Sequence, residues 1–468
     1  MAYLGKTPSQ ATRRRYYKTA SGSETSLSGT MTTGGTLTFS DGEFVDVSVN
    51  GVALVAGTDY NTTTANTIGG LSALSANDQV EIVVYDTFSV FGGNVNGDFT
   101  VSNGTLSASG NVSFDGGTIK LDGNYPTGTS NVALGDAALD DGSLSGGFNI
   151  AIGANALSAN TSGQQNAACG AFSSDANTTG SFNAGFGQSS LGSNTTGSYN
   201  TGLGRGALSN NTTAGDNTAV GYNSLTTNTT GTRNVAVGSL AADAITTGDF
   251  NVAVGYAALS AQTTADGNTA MGDSAGALLT TGASNVAIGQ SALNQATTSS
   301  NNTAVGYVAL SANTTGLNNV AVGSLALDAN TTASKNTAIG QAALGANTTG
   351  ASNTAVGQGS LQVNTTASNN TALGVDALGA NTTGSSLVGI GTVALTANTT
   401  GVNSVGIGHG ALDANTTGDN NVGIGKNALG AQTTASDNTA IGVGSGGTIT
   451  TGSKNTILGR YDGNQNSL

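Results

Sequence analysis

The chain has 468 residues, of which 73 are glycine and only 8% are charged, and it contains no tryptophan. The formal net charge of −14 argues against a nucleic-acid-binding protein, and the single cysteine, Cys169, excludes an internal disulfide framework. No stretch approaches the ~20 apolar residues of a transmembrane helix, and residues 1–18 lack the apolar run of a secretory signal. We therefore expect neither membrane insertion nor export by that signal.

Residues 1–90 are predicted to contain a small antiparallel β domain behind a basic leader. The alternation of Val45, Val47 and Val49 with polar residues, the turn signal Asn50-Gly51 and the alternating run QVEIVVY indicate strands within residues 36–87. Residues 1–18 carry five basic residues and no acid. We consider four of them candidate docking residues, with a frayed leader as the alternative: Arg13, Arg14, Arg15 and Lys18.

Residues 91–130 are rich in Gly, Asn and Ser, with single apolar residues at short intervals. Side chains such as Phe99, Val101 and Phe114 need burial, which argues against a flexible linker. We predict an irregular β neck over this segment.

From Asn131 to about residue 460 the chain repeats one unit twenty times, with one step of eighteen residues and then a constant period of seventeen. Numbering the unit from its first Asn, position 5 is Gly and position 4 is apolar in all twenty units. Positions 2 to 4 alternate as a strand does, and the array contains no proline. We predict an all-β fold, a parallel β-solenoid with one rung per unit, rungs ~4.8 Å apart and a length of roughly 90 Å.

Two further positions of the unit predict how each coil is filled. Position 9 is Leu in fifteen units, and where it is Ala242, Gly276 or Gly446 the usual Asn at position 12 becomes Ile245, Leu279 or Ile449. We interpret the two positions as sharing one pocket beside the coil, because a void would be destabilising. The same Asn belongs to an Asn-Thr-Thr sequence, which fits a stacked Asn ladder better than N-glycosylation of adjacent rungs.

The recurring phrases NVAVG, NVAIG and SVGIG resemble the head repeat of trimeric autotransporter adhesins, the left-handed parallel β-roll of the YadA type. The resemblance covers residues 131–460, although coils of that family are typically a few residues shorter. It implies a homotrimer in which small residues fill each narrow roll and the Val/Ile faces of three chains meet. The apolar ladder of this trimer core comprises Val220, Val237, Val254, Ile288, Val305, Val322 and Ile339.

The stretches VSVNGVALVAGTDY and DQVEIVVYDTF, within residues 1–90, are similar to N-terminal domains of tail fibres from podoviruses, especially marine and cyanobacterial phages. That resemblance implies docking of the N-terminal domain to an adaptor or nozzle protein of the phage tail. A virion protein assembled in the host cytoplasm and released by lysis needs no signal peptide.

Together these patterns favour a trimeric phage tail fibre that projects from the virion and recognises a host cell-surface glycan or protein. Position 6 is the most variable position, so we expect it to be exposed. Its candidate contact ladder is Tyr222, Tyr256, Tyr307 and His409, with an unconstrained solvated face as the alternative. Cys169 falls at the apolar position 4 and is expected to be a small buried hydrophobe.

Three other functions are considered. An ice-binding or other single-chain Thr-ladder solenoid is the main alternative, although ice-binding strands need Thr-x-Thr rather than adjacent Thr. A calcium β-roll lacks its recurring Asp here, and an enzyme lacks a catalytic motif, since His409 and Cys169 lie fourteen rungs apart. We therefore expect no catalytic or metal site and no cofactor, and we expect residues 461–468 to be a truncated or uncapped distal end.

Overall fold

The computed structural model of the chain describes residues 13–39, 44–85 and 130–462. The chain forms two compact units, Met1–Ser113 and Phe114–Leu468. The described residues contain strands and turns but no α-helix, and thus no helix that could cross a membrane. The predicted neck, residues 91–130, lies outside the described residues except for Ser130, as does the predicted distal end beyond residue 462.

The first unit is built on an antiparallel sheet of four strands in the order β1-β6-β3-β4, with β2 and β5 forming a separate pair. Asn50 and Gly51 both have positive φ in the hairpin between β3 and β4, so the predicted turn is confirmed. The core comprises Leu27, Leu37, Val45, Val47, Ile68 and Ile82, with other apolar side chains around them. The strands are β1 (Arg13–Thr19), β2 (Leu27–Ser28), β3 (Val45–Val49), β4 (Val52–Ala53), β5 (Thr67–Ile68) and β6 (Gln79–Tyr85).

The basic leader is not frayed from Arg13 onward, which corrects that alternative. Arg13–Thr19 pairs along its whole length with β6, from Arg13 opposite Tyr85 to Thr19 opposite Gln79. The reason is Tyr16, whose side chain points into the core and is 2% exposed. Burying one large aromatic side chain stabilises the strand by about 2 kcal/mol, and charge content alone does not reveal this anchor.

The second unit is a β-solenoid with seventeen-residue rungs, as the period predicts. Positions 2 to 4 of each unit form one short strand, which pairs in parallel with the next in constant register, for example Val235 with Val252. The twenty strands are β7 (Val132–Leu134), β8 (Ile150–Ile152), β9 (Ala167–Cys169), β10 (Ala184–Phe186), β11 (Thr201–Leu203), β12 (Thr218–Val220), β13 (Val235–Val237), β14 (Val252–Val254), β15 (Thr269–Met271), β16 (Val286–Ile288), β17 (Thr303–Val305), β18 (Val320–Val322), β19 (Thr337–Ile339), β20 (Thr354–Val356), β21 (Thr371–Leu373), β22 (Val388–Ile390), β23 (Val405–Ile407), β24 (Val422–Ile424), β25 (Thr439–Ile441) and β26 (Thr456–Leu458).

The interior of the coil is lined by positions 1, 3, 8, 9 and 12. In one rung these include Asn217, Ala219, Leu225 and Asn228, all fully buried. Positions 2 and 4 point outward, as strand alternation requires. Cys169 is therefore only half-buried on the outer face, which corrects the expectation of a buried hydrophobe.

Buried asparagines form two hydrogen-bonded ladders, so the predicted stacked Asn ladder is confirmed. At position 12, Asn177 Nδ2 donates to Asn160 Oδ1 of the preceding rung at 2.8 Å and to the Gly180 carbonyl at 3.0 Å. At position 1, Asn166 Oδ1 accepts the backbone N–H of Asn183 at 2.9 Å. An unpartnered buried amide costs about 1–3 kcal/mol, so these repeated bonds explain why asparagine recurs inside an otherwise apolar coil.

The exchange between positions 9 and 12 takes place in the interior rather than beside the coil, which corrects the predicted location of the pocket. Ile245 and Leu279 are fully buried and occupy the space that Leu fills in other rungs. The apolar substitute interrupts the amide ladder. Asn228 Oδ1 has no partner because the next rung offers Ile245 instead of an amide.

Candidate functional surfaces

Position 4 points outward and is apolar in every unit, which gives an apolar row along the solenoid. Position 2 points the same way and is Val or Ile in nine units, Thr in nine and Ala in two. We call the surface formed by these two positions the strand stripe. Ile339 is 39% exposed and Leu373 is 47% exposed. The predicted apolar ladder of the trimer core lies in this stripe and not inside the coil. Two of its members are exposed and five are half-buried: Val220, Val237, Val254, Ile288, Val305, Val322 and Ile339. At roughly 60 Å² of apolar surface per rung, twenty rungs expose on the order of 1,000 Å², more than a monomer usually leaves in one patch.

The predicted contact ladder at position 6 is exposed but discontinuous. Tyr222 and Tyr256 are two rungs apart, Tyr307 is three rungs further on, and His409 is six rungs beyond that. Arg205 contacts only the first of them, with its guanidinium carbon 5.7 Å from the Tyr222 ring centroid. At ~4.8 Å per rung, the four side chains do not form one contact surface.

The four candidate docking residues do not form one basic patch. Arg13 and Arg15 point to the outer face of the sheet, where Arg15 Nε lies 3.5 Å from Glu81 Oε1 and Arg13 lies over the Tyr85 ring. Arg14 points to the opposite face and donates to Thr38 Oγ1, and Lys18 lies on that face too. A hydrogen bond with Asp46 raises the pKa of Tyr85, with the negative charge of Asp46 adding to it. The outer face is therefore of mixed charge.

One exposed surface was missed by the sequence reasoning. The last residue of each unit, directly before position 1 of the next unit, lies at a corner of the coil. In the first seven units four of these residues are aromatic: Phe148, Phe182, Tyr199 and Phe250. The Phe182 and Tyr199 rings are stacked, with centroids 4.9 Å apart and planes at 2°. Aligning the units and counting aromatic residues at each position would have revealed this row.

Aspartates at position 10 occupy partly buried notches. Burial raises the pKa of each of these carboxyl groups because it disfavours the ionised form: Asp175, Asp243, Asp328 and Asp413. Asp328 lines a shallow groove with Leu325, Gln362 and Val363. No group of three or more His, Cys, Asp or Glu side chains arranged to hold a metal ion occurs in residues 13–39, 44–85 and 130–462.

These aspartates predict that the solenoid becomes more stable on mild acidification. Between the unfolded pKa of ~3.9 and the raised folded value, the folded chain binds more protons, so its free energy of unfolding rises as pH falls. Replacing the four aspartates by asparagine is expected to raise the solenoid's melting temperature at pH 7 and to flatten its pH dependence. Asn294 already occupies this position in one rung. Thermal melts at pH 7 and pH 4.5 measure the effect, with the exposed Asp216→Asn as control; an unchanged pH profile in the fourfold variant contradicts the prediction.

The N-terminal unit has the opposite sensitivity. Hydrogen bonds from the Ser21 side chain and backbone lower the pKa of Glu24 from 4.5 to about 2. Its contribution to stability is therefore present above pH 4.5 and is lost as the pH falls towards 2.

Comparisons with known proteins show no matching protein family, no similar curated protein and no similar solved structure.

Proposed function

We propose that the chain is the shaft of a trimeric phage tail fibre, which docks to an adaptor or nozzle protein of the virion tail through its N-terminal unit and carries the solenoid towards a host cell-surface glycan or protein. The observation that carries the proposal is the strand stripe. An apolar stripe that continues over twenty rungs favours an elongated interface with parallel copies of the same chain.

The interior of each coil supports this assignment. Its Leu and Ala side chains are fully buried, and most of its amides are hydrogen-bonded within the chain. The chain therefore fills the interior of the coil by itself, and the apolar side chains that remain exposed lie on one outer side. The choice of three copies comes from the resemblance to YadA-like repeats, in which such faces meet around a threefold axis.

A property of the first unit supports the assignment of the tail partner to it. The first unit is a separate small sheet with a mixed-charge outer face, which suits an interface with a polar rim. We assign tail docking to this face through Arg13 and Arg15, and host contact to the solenoid.

The alternative, an ice-binding Thr-ladder solenoid, is less well supported. Position 14 presents one exposed hydroxyl row, for example Thr315 and Thr332. The neighbouring row at position 13 is engaged within the chain, since Thr314 Oγ1 donates to the Thr331 carbonyl at 3.0 Å. A single row does not supply the paired hydroxyls that the alternative needs. Thermal hysteresis of the purified protein is the measurement that would favour it.

The trimer predicts a solution mass of three times 45.2 kDa by multi-angle light scattering without denaturant. Charges placed in the strand stripe, Val305→Asp, Val322→Asp and Ile339→Asp together, are expected to reduce the mass to that of one chain, because three chains would bury these carboxylates without partners. The matched control is Thr315→Asp, Thr332→Asp and Thr349→Asp, on the exposed hydroxyl row of the same rungs. A monomeric mass for the unsubstituted chain, or an unchanged mass for the stripe variant, contradicts the trimer.

A further inference from the structure

The corner row consists of the last residue of each unit, directly before position 1 of the next unit. Every member of the row from Phe148 to Lys454 has a left-handed backbone, with φ between 56° and 69°. The occupants of the first seven rungs are Phe148, Gln165, Phe182, Tyr199, Asp216, Arg233 and Phe250. The twelve later occupants, from Gly267 to Lys454, are glycine or polar, and five of them are asparagine.

The contrast between the first seven rungs and the twelve later ones indicates which residue types the fold itself requires at this corner. The left-handed region favours Gly, Asn and Asp and disfavours bulky side chains, and the later rungs follow that preference. The four aromatic side chains are 45–60% exposed, so burial does not explain them either. Since the same corner forms without aromatic residues in twelve rungs, the aromatic side chains are not required for folding.

The seven corner residues of the first seven rungs follow one another along the solenoid and include both aromatic rings and hydrogen-bonding groups. Phe182 and Tyr199 stack on each other, and Arg233 lies 5.2 Å from the Phe250 ring centroid. Gln165 and Asp216 lie at the same corner in the adjacent rungs. Position 14, three residues earlier in each rung, carries exposed hydroxyls that include those of Thr179 and Thr196.

We propose that the corner row between Phe148 and Phe250 binds a linear saccharide chain lying along the solenoid. The apolar faces of sugar rings stack on exposed aromatic rings, while amide, carboxylate, guanidinium and hydroxyl groups bond the sugar hydroxyls. Phe148 and Phe182 are two rungs apart, ~10 Å, a spacing comparable to the repeat of a β-linked disaccharide. The inference rests on the proposed role in host-surface recognition. It assigns the contact with the host to this row instead of position 6, and it does not require the trimer.

Other occupants fit the row less well. Four half-exposed aromatic side chains offer ~100 Å² each, about half of the ~800 Å² that a stable protein interface buries per partner. Beside the stacked pair the outward residues at position 2, Ala184 and Thr201, are small. The apolar area therefore widens only beside Phe148 and Phe250, where position 2 is Ile150 and Val252. A net charge of −14 disfavours nucleic acid.

The test is retention of the full chain on an array of immobilised saccharides that spans bacterial, algal and animal glycans. The corner variant is Phe182→Asn, Tyr199→Asn and Phe250→Asn together, which introduces the residue that later rungs use at the same backbone conformation. The control variant is Tyr222→Asn, Tyr256→Asn and Tyr307→Asn, exposed tyrosines at position 6. We expect the unsubstituted chain to bind at least one saccharide class, the control to bind equally, and the corner variant to bind about tenfold more weakly or worse.

Three results would overturn the inference: no saccharide retained by the unsubstituted chain, equal retention by the corner variant, or equal loss in both variants. Light scattering on the corner variant separates this proposal from the trimer. A reduced mass would identify the corner row as a contact between copies and would also overturn saccharide binding there. A monomeric mass for the unsubstituted chain, with saccharide binding intact, would reject the trimeric fibre and leave the corner site standing.

Discussion

Replacing Gly187 by alanine is expected to disrupt the solenoid locally, with a loss of about 3 kcal/mol or more. Gly187 is at position 5, has φ +130°, and a Cβ there would lie 2.6 Å from the carbonyl carbon and oxygen of Gly204 in the next rung. Backbone cannot move aside as a side chain can, so the two rungs must separate. Because each rung contacts only its neighbours, hydrogen exchange should report lost protection in the rungs around residue 187 and little change in distant rungs.

The control is Gly192→Ala in the same rung. Gly192 does not have a left-handed backbone, and the nearest atoms to an added Cβ lie at 3.4 Å or beyond. This variant is expected to keep the protection of the unsubstituted chain. Equal protection in both variants would show that the rungs can shift to admit a Cβ at position 5, and that its invariance in this chain has another cause.

Exchanging the occupants of positions 9 and 12 is expected to show strong coupling between them. Leu344→Gly alone empties a fully buried site and costs about 3 kcal/mol. Asn347→Leu alone overfills the coil and removes two hydrogen bonds, to Asn330 Oδ1 at 3.1 Å and to the Gly350 carbonyl at 2.9 Å. It also deprives Asn364 of one of its two acceptors, the other being the Ala367 carbonyl, so the total loss is ~2–4 kcal/mol.

The double variant recreates the combination that the chain already uses at Gly276 and Leu279. We expect it to be more stable than the sum of the single changes by about 2 kcal/mol. It should remain less stable than the unsubstituted chain, because the amide ladder is still interrupted. Guanidinium denaturation of all four proteins measures the coupling. Additive losses would mean that the two side chains do not share one interior space.

Much of the solenoid could be predicted because its contacts are periodic. A residue's main neighbour lies seventeen residues away, so the period in the sequence is also the contact pattern in space. The Asn ladder was predictable for this reason, and so was the presence of Leu279 at position 12 where position 9 is Gly276. Both follow from comparing equivalent positions of the units. The trimer, the tail partner and the host receptor remain proposals. They depend on contacts with other chains, and such contacts produce no periodic pattern within this sequence.

The corners of the coil were not predictable by the same reasoning. Leu225 has φ +48° and Phe182 has φ +61°, although neither residue type favours the left-handed region. Burial of Leu225 and hydrogen bonding between rungs outweigh that local preference. No propensity rule locates such a corner, so the exposure of Phe182 and Tyr199 there was missed, although the constant period alone places the two residues in equivalent positions of successive rungs.

The sequence by itself determined the period, the strands at positions 2 to 4 and the compensation between positions 9 and 12, because spacing and side-chain alternation act locally and repeat in every rung. Only the tertiary structure decided where the chain turns between strands, and therefore which side chains share an outer face. It placed Arg13 and Arg14 on opposite faces of one strand, and it placed Asp328 in a partly buried notch. The physical reason is that these outcomes depend on backbone turns that burial and inter-rung hydrogen bonds impose against local preference.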